Sequence, residues 1–129
     1  MISARAALLE AAGAALSRVE EIGRVYDAPP LQAALPYELI SIDAETDWSH
    51  KSAAGREIRL AACLFDKGER PLRLHRLAGE AEAALAGLPR DLGAWRLVTM
   101  QYLRTRIVLE RDGRWAAVIE FRARLLAAD

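Results

Sequence analysis

Residues 95–126 read WRLVTMQYLRTRIVLERDGRWAAVIEFRARLL, two long strand-like runs separated by Arg111-Asp112-Gly113. Two pairings compete for this hairpin. A two-residue turn at Asp112-Gly113 sets Leu103 opposite Arg122 and Thr105 opposite Glu120, which mixes charge into the core face. A three-residue loop centred on Asp112, with Gly113 in the left-handed region, shifts the pairing by one. Leu103, Thr105, Ile107 and Leu109 then face Phe121, Ile119, Ala117 and Trp115. On the opposite face Glu110 meets Arg114 and Arg104 meets Glu120, both favourable cross-strand pairs. A one-residue slip flips every side chain, so the second register is predicted. At ~3.3 Å per residue a straight arm of this length reaches about 50 Å. That exceeds the needs of so small a domain, and the hairpin is expected either to bend sharply or to project towards a neighbouring subunit.

Upstream of the hairpin, Leu74, Leu77, Ala78, Ala81, Leu85 and Leu88 recur at helical spacing and form one apolar stripe. Pro71 suits the first turn of that helix, and Gly87 and Pro89 mark its end. Before it, Arg56 to Phe65 reads as a strand with Ile58, Leu60, Ala62 and Leu64 on one face. Pro36 opens an earlier strand from Tyr37 to about Asp43, and Glu45 to Gly55 reads as a polar loop between the two. Val25-Tyr26-Asp27 is a short extended piece. A first helix is predicted from an N-cap at Ser3 to about Arg18, with Leu9, Ala12, Leu16 and Val19 as its stripe and Gly23 as its terminator. The expected fold is one α+β domain over residues 1–129, in the order α-β-β-α-β-β. It has an antiparallel sheet of about four strands, two helices packed on one face and the long C-terminal hairpin.

The chain has 129 residues, 18 basic and 18 acidic. A balanced charge disfavours a dedicated nucleic-acid binder, whose affinity rests largely on neutralising phosphates. Cys63 is the single cysteine, so there is no intrachain disulfide and no cysteine-based metal site. No segment approaches the ~20 apolar residues that span a membrane, and no secretory signal is recognisable. A soluble, cytoplasmic domain is the expectation.

The residues do not assemble a reaction centre. His50 and His75 lack acidic or thiol partners at ligand spacing. Asp43, Glu45 and Asp47 alternate along a strand exit, but the glycine and spacing of a calcium loop are missing, and solvated acids are the simpler reading. Neither a metal nor another cofactor is expected. Two features stand out. Trp48 sits in the polar loop Asp47-Trp48-Ser49-His50-Lys51, where its indole either folds back on its own domain or meets a partner. Arg104, Arg106, Arg122 and Arg124 share the polar face of the hairpin, either as a solvated face or as a surface for acidic groups of a partner subunit.

The order of short motifs carries a resemblance. Val25-Tyr26-Asp27, Pro36-Tyr37, Asp47-Trp48-Ser49 with Lys51, and Gly55 with Glu57 follow one another as in the tail-completion or tail-terminator proteins of long-tailed phages and gene transfer agents. The Ala-rich first helix, the helix ending near Leu88 and the closing Phe121-Arg122-Ala123 strand resemble that family too. The segment Leu64-Phe65-Asp66-Lys67-Gly68 departs from it, because the family often has a second aromatic and a small polar residue there. The resemblance implies a structural subunit, typically of a hexameric ring, that caps the tail tube and joins it to a head-side connector or stopper. It implies no catalytic residues, assembly in the host cytoplasm, and a final place at the head–tail junction of the particle. Self-contacts are then expected from Asp43, Glu45, Asp47, Trp48, Ser49, Lys51 and Arg56 in and beside the loop, and from the four hairpin arginines. Another neck protein, such as a head-closure stopper, and a small-ligand-binding α+β domain are the alternatives.

Overall fold

A computed structural model describes residues 1–128. Its elements are α1 (Ala4–Leu16), β1 (Val25–Tyr26), β2 (Tyr37–Asp47), β3 (Gly55–Lys67), α2 (Leu72–Ala86), β4 (Trp95–Leu109) and β5 (Arg114–Ala127). The strands form one sheet in the order β1-β2-β3-β5-β4, antiparallel except for the β1–β2 pair. The sheet therefore has five strands rather than about four. Val25 and Tyr26 pair in parallel with Glu38 and Leu39, a contact between residues too far apart in sequence for local propensity to show.

Both helices cover one face. The apolar side of α2 (Leu74, Leu77, Ala78, Ala81, Leu85) and that of α1 (Ala4, Leu8, Ala12, Leu16) close on Ile58, Leu60, Ala62 and Leu64 of β3. Ala117, Ile119, Phe121, Ala123 and Leu125 of β5 complete this core. Fully burying each of the larger side chains stabilises the fold by roughly 1.5–3 kcal/mol before entropy is counted. α1 begins where expected, with the Ser3 hydroxyl accepting from the Ala6 amide (3.2 Å). It stops at Leu16 instead of Arg18, and Gly23 does not end it. The Gly23 amide donates to the Pro36 carbonyl (2.9 Å), and a Cβ there would lie 3.0 Å from that oxygen.

The β4–β5 register agrees with the charge argument near the turn. Leu109 pairs with Trp115, Ile107 with Ala117, Thr105 with Ile119 and Arg104 with Glu120. The turn itself is tighter than expected. Asp112 and Gly113 both have positive φ (57° and 70°), and the Arg114 amide donates to the Arg111 carbonyl (3.0 Å) across two residues. The register is kept because the Arg114 carbonyl accepts from Glu110 rather than Arg111 (2.7 Å). Leu103 does not face Phe121. A bulge between Tyr102 and Arg104 puts Tyr102 there, and a second bulge follows Leu97. The hairpin does not project, because β3 pairs with β5 from Gly55–Leu126 to Lys67–Arg114. Its tip is tied down by Gly68, whose amide donates to Gly113 (3.1 Å) and whose carbonyl accepts from the Trp115 indole (2.9 Å).

Candidate interaction surface

The predicted polar loop is partly strand. β2 continues to Asp47, so Glu45 and Asp47 are strand residues, and only 48–54 connect β2 to β3. The connection is a tight hairpin. The Trp48 amide donates to the Gly55 carbonyl (2.9 Å), and His50 and Ala53 exchange backbone bonds of 2.8 and 3.3 Å. The Ser49 hydroxyl accepts from the Gly55 amide (3.0 Å) and donates to Asp47 (2.6 Å). That hydroxyl bond, more than any neighbouring charge, holds the Asp47 carboxyl below its usual range. A Cβ on Gly55 would lie 2.3 Å from the Trp48 carbonyl oxygen, so the close approach of these backbones demands glycine.

Trp48 is half-buried against its own domain. The Arg124 guanidinium lies over the indole at 5.4 Å, and the His50 ring meets it edge-on at 4.7 Å. Arg124 also donates to Glu57 (2.8 Å), and this bond is the main reason the Glu57 carboxyl is lowered. The three acids do not form one row. A bulge between Ile42 and Ala44 makes Asp43 the extra residue. Glu45 instead pairs with Ile58, a core residue, and is held by Arg5 at 2.7 Å and Arg56 at 3.3 Å. Lys51 is exposed at the turn.

The helix-free face carries the four hairpin arginines together with Arg59. Arg104 (2.5 Å) and Arg106 (3.9 Å) share Glu120, whose carboxyl is lowered chiefly by the Arg104 hydrogen bond. Arg122 is bonded to Gln101, stands directly opposite Arg59, and keeps its Nε buried without a partner. Two like charges face to face in a sheet are unfavourable, so this face holds more positive charge than its own acids satisfy.

Two groups escape the sequence reading. Arg73 grips Asp66 with two bonds (2.8 and 2.6 Å), lowering that carboxyl and tying the first turn of α2 to the end of β3. Glu38 is fully buried on the core face opposite Leu64, with neither carboxylate oxygen bonded. Its place was legible, because Glu38, Ile40 and Ile42 alternate on one side of the strand. Burial pushes the Cys63 thiol up to about 11, as expected for an inert apolar cysteine. Among the described residues no group of three or more His, Cys, Asp or Glu side chains is placed to hold a metal ion, and no helix is long and apolar enough to cross a membrane.

A one-layer sheet with helices on one side and an arginine-rich open face belongs to a class of small α+β domains. A solved structure titled "Virion of native gene transfer agent (GTA) particle" contains a chain of this shape. It covers 97% of this chain and 96% of its own, with a TM-score of 0.66 at 24% identity, which shows a shared fold. No curated protein sequence shows significant similarity. The family described as Tail completion protein gp17 matches residues 4–126, and the chain belongs to that family of structural virion components.

Proposed function

We propose that copies of this chain form a ring, hexameric as its motif resemblance implies, that caps the finished tail tube and presents a surface to the head-side connector. The observation that carries the reading is the family match across residues 4–126, nearly the whole chain. The shared fold with a chain of the gene transfer agent virion supports a place in a particle of that kind. The arrangement of side chains suits assembly. Arginine and a half-buried tryptophan are the residue types that dominate interface hot spots, and both lie on the helix-free side of the sheet.

The test is a deletion strain examined by electron microscopy. Loss of the protein should give tails of uncontrolled length, or tails that fail to join filled heads. Normal joined particles from the deletion strain would overturn the reading.

A further inference from the structure

The formal balance of charge hides a separation. Residues 1–54 contain eight acidic side chains, one of them the buried Glu38, and four basic ones, whereas residues 55–129 contain ten acidic and fourteen basic. Strand order converts this asymmetry along the chain into one across the molecule. α1, β1 and β2 form one edge of the sheet, while β5 and β4 form the other.

The two edges also differ in apolar character. β4 exposes Val98, Tyr102, Val108 and Leu109, half of the large exposed hydrophobic residues of the domain. Arg96, Arg104 and Arg106 are interleaved with them, and the last two side chains stay 61% and 53% exposed although they share Glu120. On the far edge Glu10, Asp27 and Asp43 are exposed and take part in no ion pair among the described residues. Glu10 and Asp27, with the single cation Arg24 beside them, flank a recess of about 510 Å³ lined by Leu9, Val25, Tyr26 and Ile40. β1 covers β2 only at Glu38 and Leu39, which leaves the rest of β2 open on that side.

We propose that the β4 edge of one copy docks against the α1–β1–β2 edge of the next. This rests on the ring reading above and names the two surfaces that meet. Each edge complements the other and repels itself, so the contact is head-to-tail, and two basic β4 edges do not pair. A heterologous contact of this kind closes into a ring when its rotation allows. The contact is made by side chains rather than by an extended hydrogen-bonded ladder. Bulges after Leu97 and Tyr102 in β4 and after Ile42 in β2 interrupt the regular edges such a ladder needs.

Two single-cysteine variants test the proposal, Arg106→Cys and Asp43→Cys, each in a Cys63→Ala background and treated with a short thiol cross-linker. Purified protein and assembled particles are both examined. The two variants mixed should give several-fold more cross-linked dimer than either alone. The solution yield should fall at about 1 M salt, where the screening length is only ~3 Å. Equal yields from either variant alone would indicate a two-fold contact and overturn the proposal. So would the absence of dimer from the mixture both in solution and in particles. A cross-link obtained alongside normal particles from the deletion strain would leave the edge contact standing while the tail-capping role fell. Defective deletion particles without the cross-link would do the reverse.

Discussion

Raising the pH from about 5 to about 8 should destabilise this chain, and Glu38 supplies the reason. Its carboxyl is fully buried on the helix side of β2, and neither oxygen has a hydrogen-bond partner. Burial raises its pKa from 4.5 to about 8. The folded state therefore holds a proton that the unfolded chain releases. Stability from this group is fully present below pH 4.5, is lost progressively as pH rises, and is gone above about pH 8. One pKa unit corresponds to ~1.4 kcal/mol, so the loss is about 3 kcal/mol at neutral pH and about 5 kcal/mol by the end of the window. That is a large share of the ~5–15 kcal/mol typical of a domain.

The opposing groups act elsewhere on the pH axis. Asp47, Glu57, Asp66 and Glu120 have lowered carboxyls. Their contribution is present above the ordinary carboxylate range and is lost as pH falls through their folded values, below the Glu38 window. Urea unfolding of wild type and Glu38→Gln at several pH values separates the effects, because every other titrating group cancels in the difference. The variant should be the more stable at about pH 8, and its advantage should shrink by ~1.4 kcal/mol per unit as pH falls. At about pH 5 the buried amide, short of partners, should leave it no better than wild type. A difference between the two proteins that stays constant over this range would refute the reasoning, since it would mean that the carboxyl is hydrated or paired.

Gly55→Ala should destabilise the fold by about 1–3 kcal/mol in chemical denaturation, because the new methyl collides with the Trp48 carbonyl at 2.3 Å and with Leu126 at 2.8 Å. Wild-type stability in that variant would mean the β2–β3 turn has room to open. Trp48→Ala removes the Arg124 contact, which contributes about 0.5–1 kcal/mol to folding at a partly exposed site. If the indole also meets a neighbouring subunit, particle yield should drop by far more, since hot-spot truncations cost upward of ~2 kcal/mol of association. A yield that falls only in proportion to the lost folding stability would assign Trp48 to its own domain alone.

The sheet was largely readable from alternation, and its irregularities were not. Ala117, Ile119 and Phe121 on one side of β5, with Glu120 and Arg122 on the other, left one register that kept charge out of the core. α2 was equally plain, because its stripe of leucines and alanines has no competing face. The bulges at β4 and β2 were invisible, since an extra residue in a strand follows from sheet twist and from neighbours that no local pattern encodes. Val25-Tyr26 shows only as an extended piece in the sequence for a related reason, because two residues become a strand only through a partner more than ten residues away. At the surface, the four hairpin arginines share the helix-free face, whereas the bulge and the Arg5 and Arg56 contacts separate Asp43, Glu45 and Asp47. The charge separation between edges is present in the sequence, yet it acquires a direction only once β5 is known to lie between β3 and β4.

Residues 90–92 bond to the outer edge of β4 only at Trp95 and Leu97, and a long free edge beyond them is a hazard, because its unpaired backbone groups template pairing with other strands. Two bulges twist this edge out of regular geometry, and Arg96, Arg104 and Arg106 place charge along it. The opposite edge is protected in a similar way, by the bulge at Asp43 and by acidic side chains. Backbone pairing is thus suppressed on both sides, and what remains for recognition is the pattern of side chains. Those patterns are complementary between the edges and repulsive within each. Under the edge-to-edge contact proposed above, such a chain would resist open-ended strand pairing while still accepting one defined neighbour. The same logic makes any edge association sensitive to salt, whereas the core on the other face of the sheet, built from Phe121, Leu60 and Leu77, is not held by exposed charge.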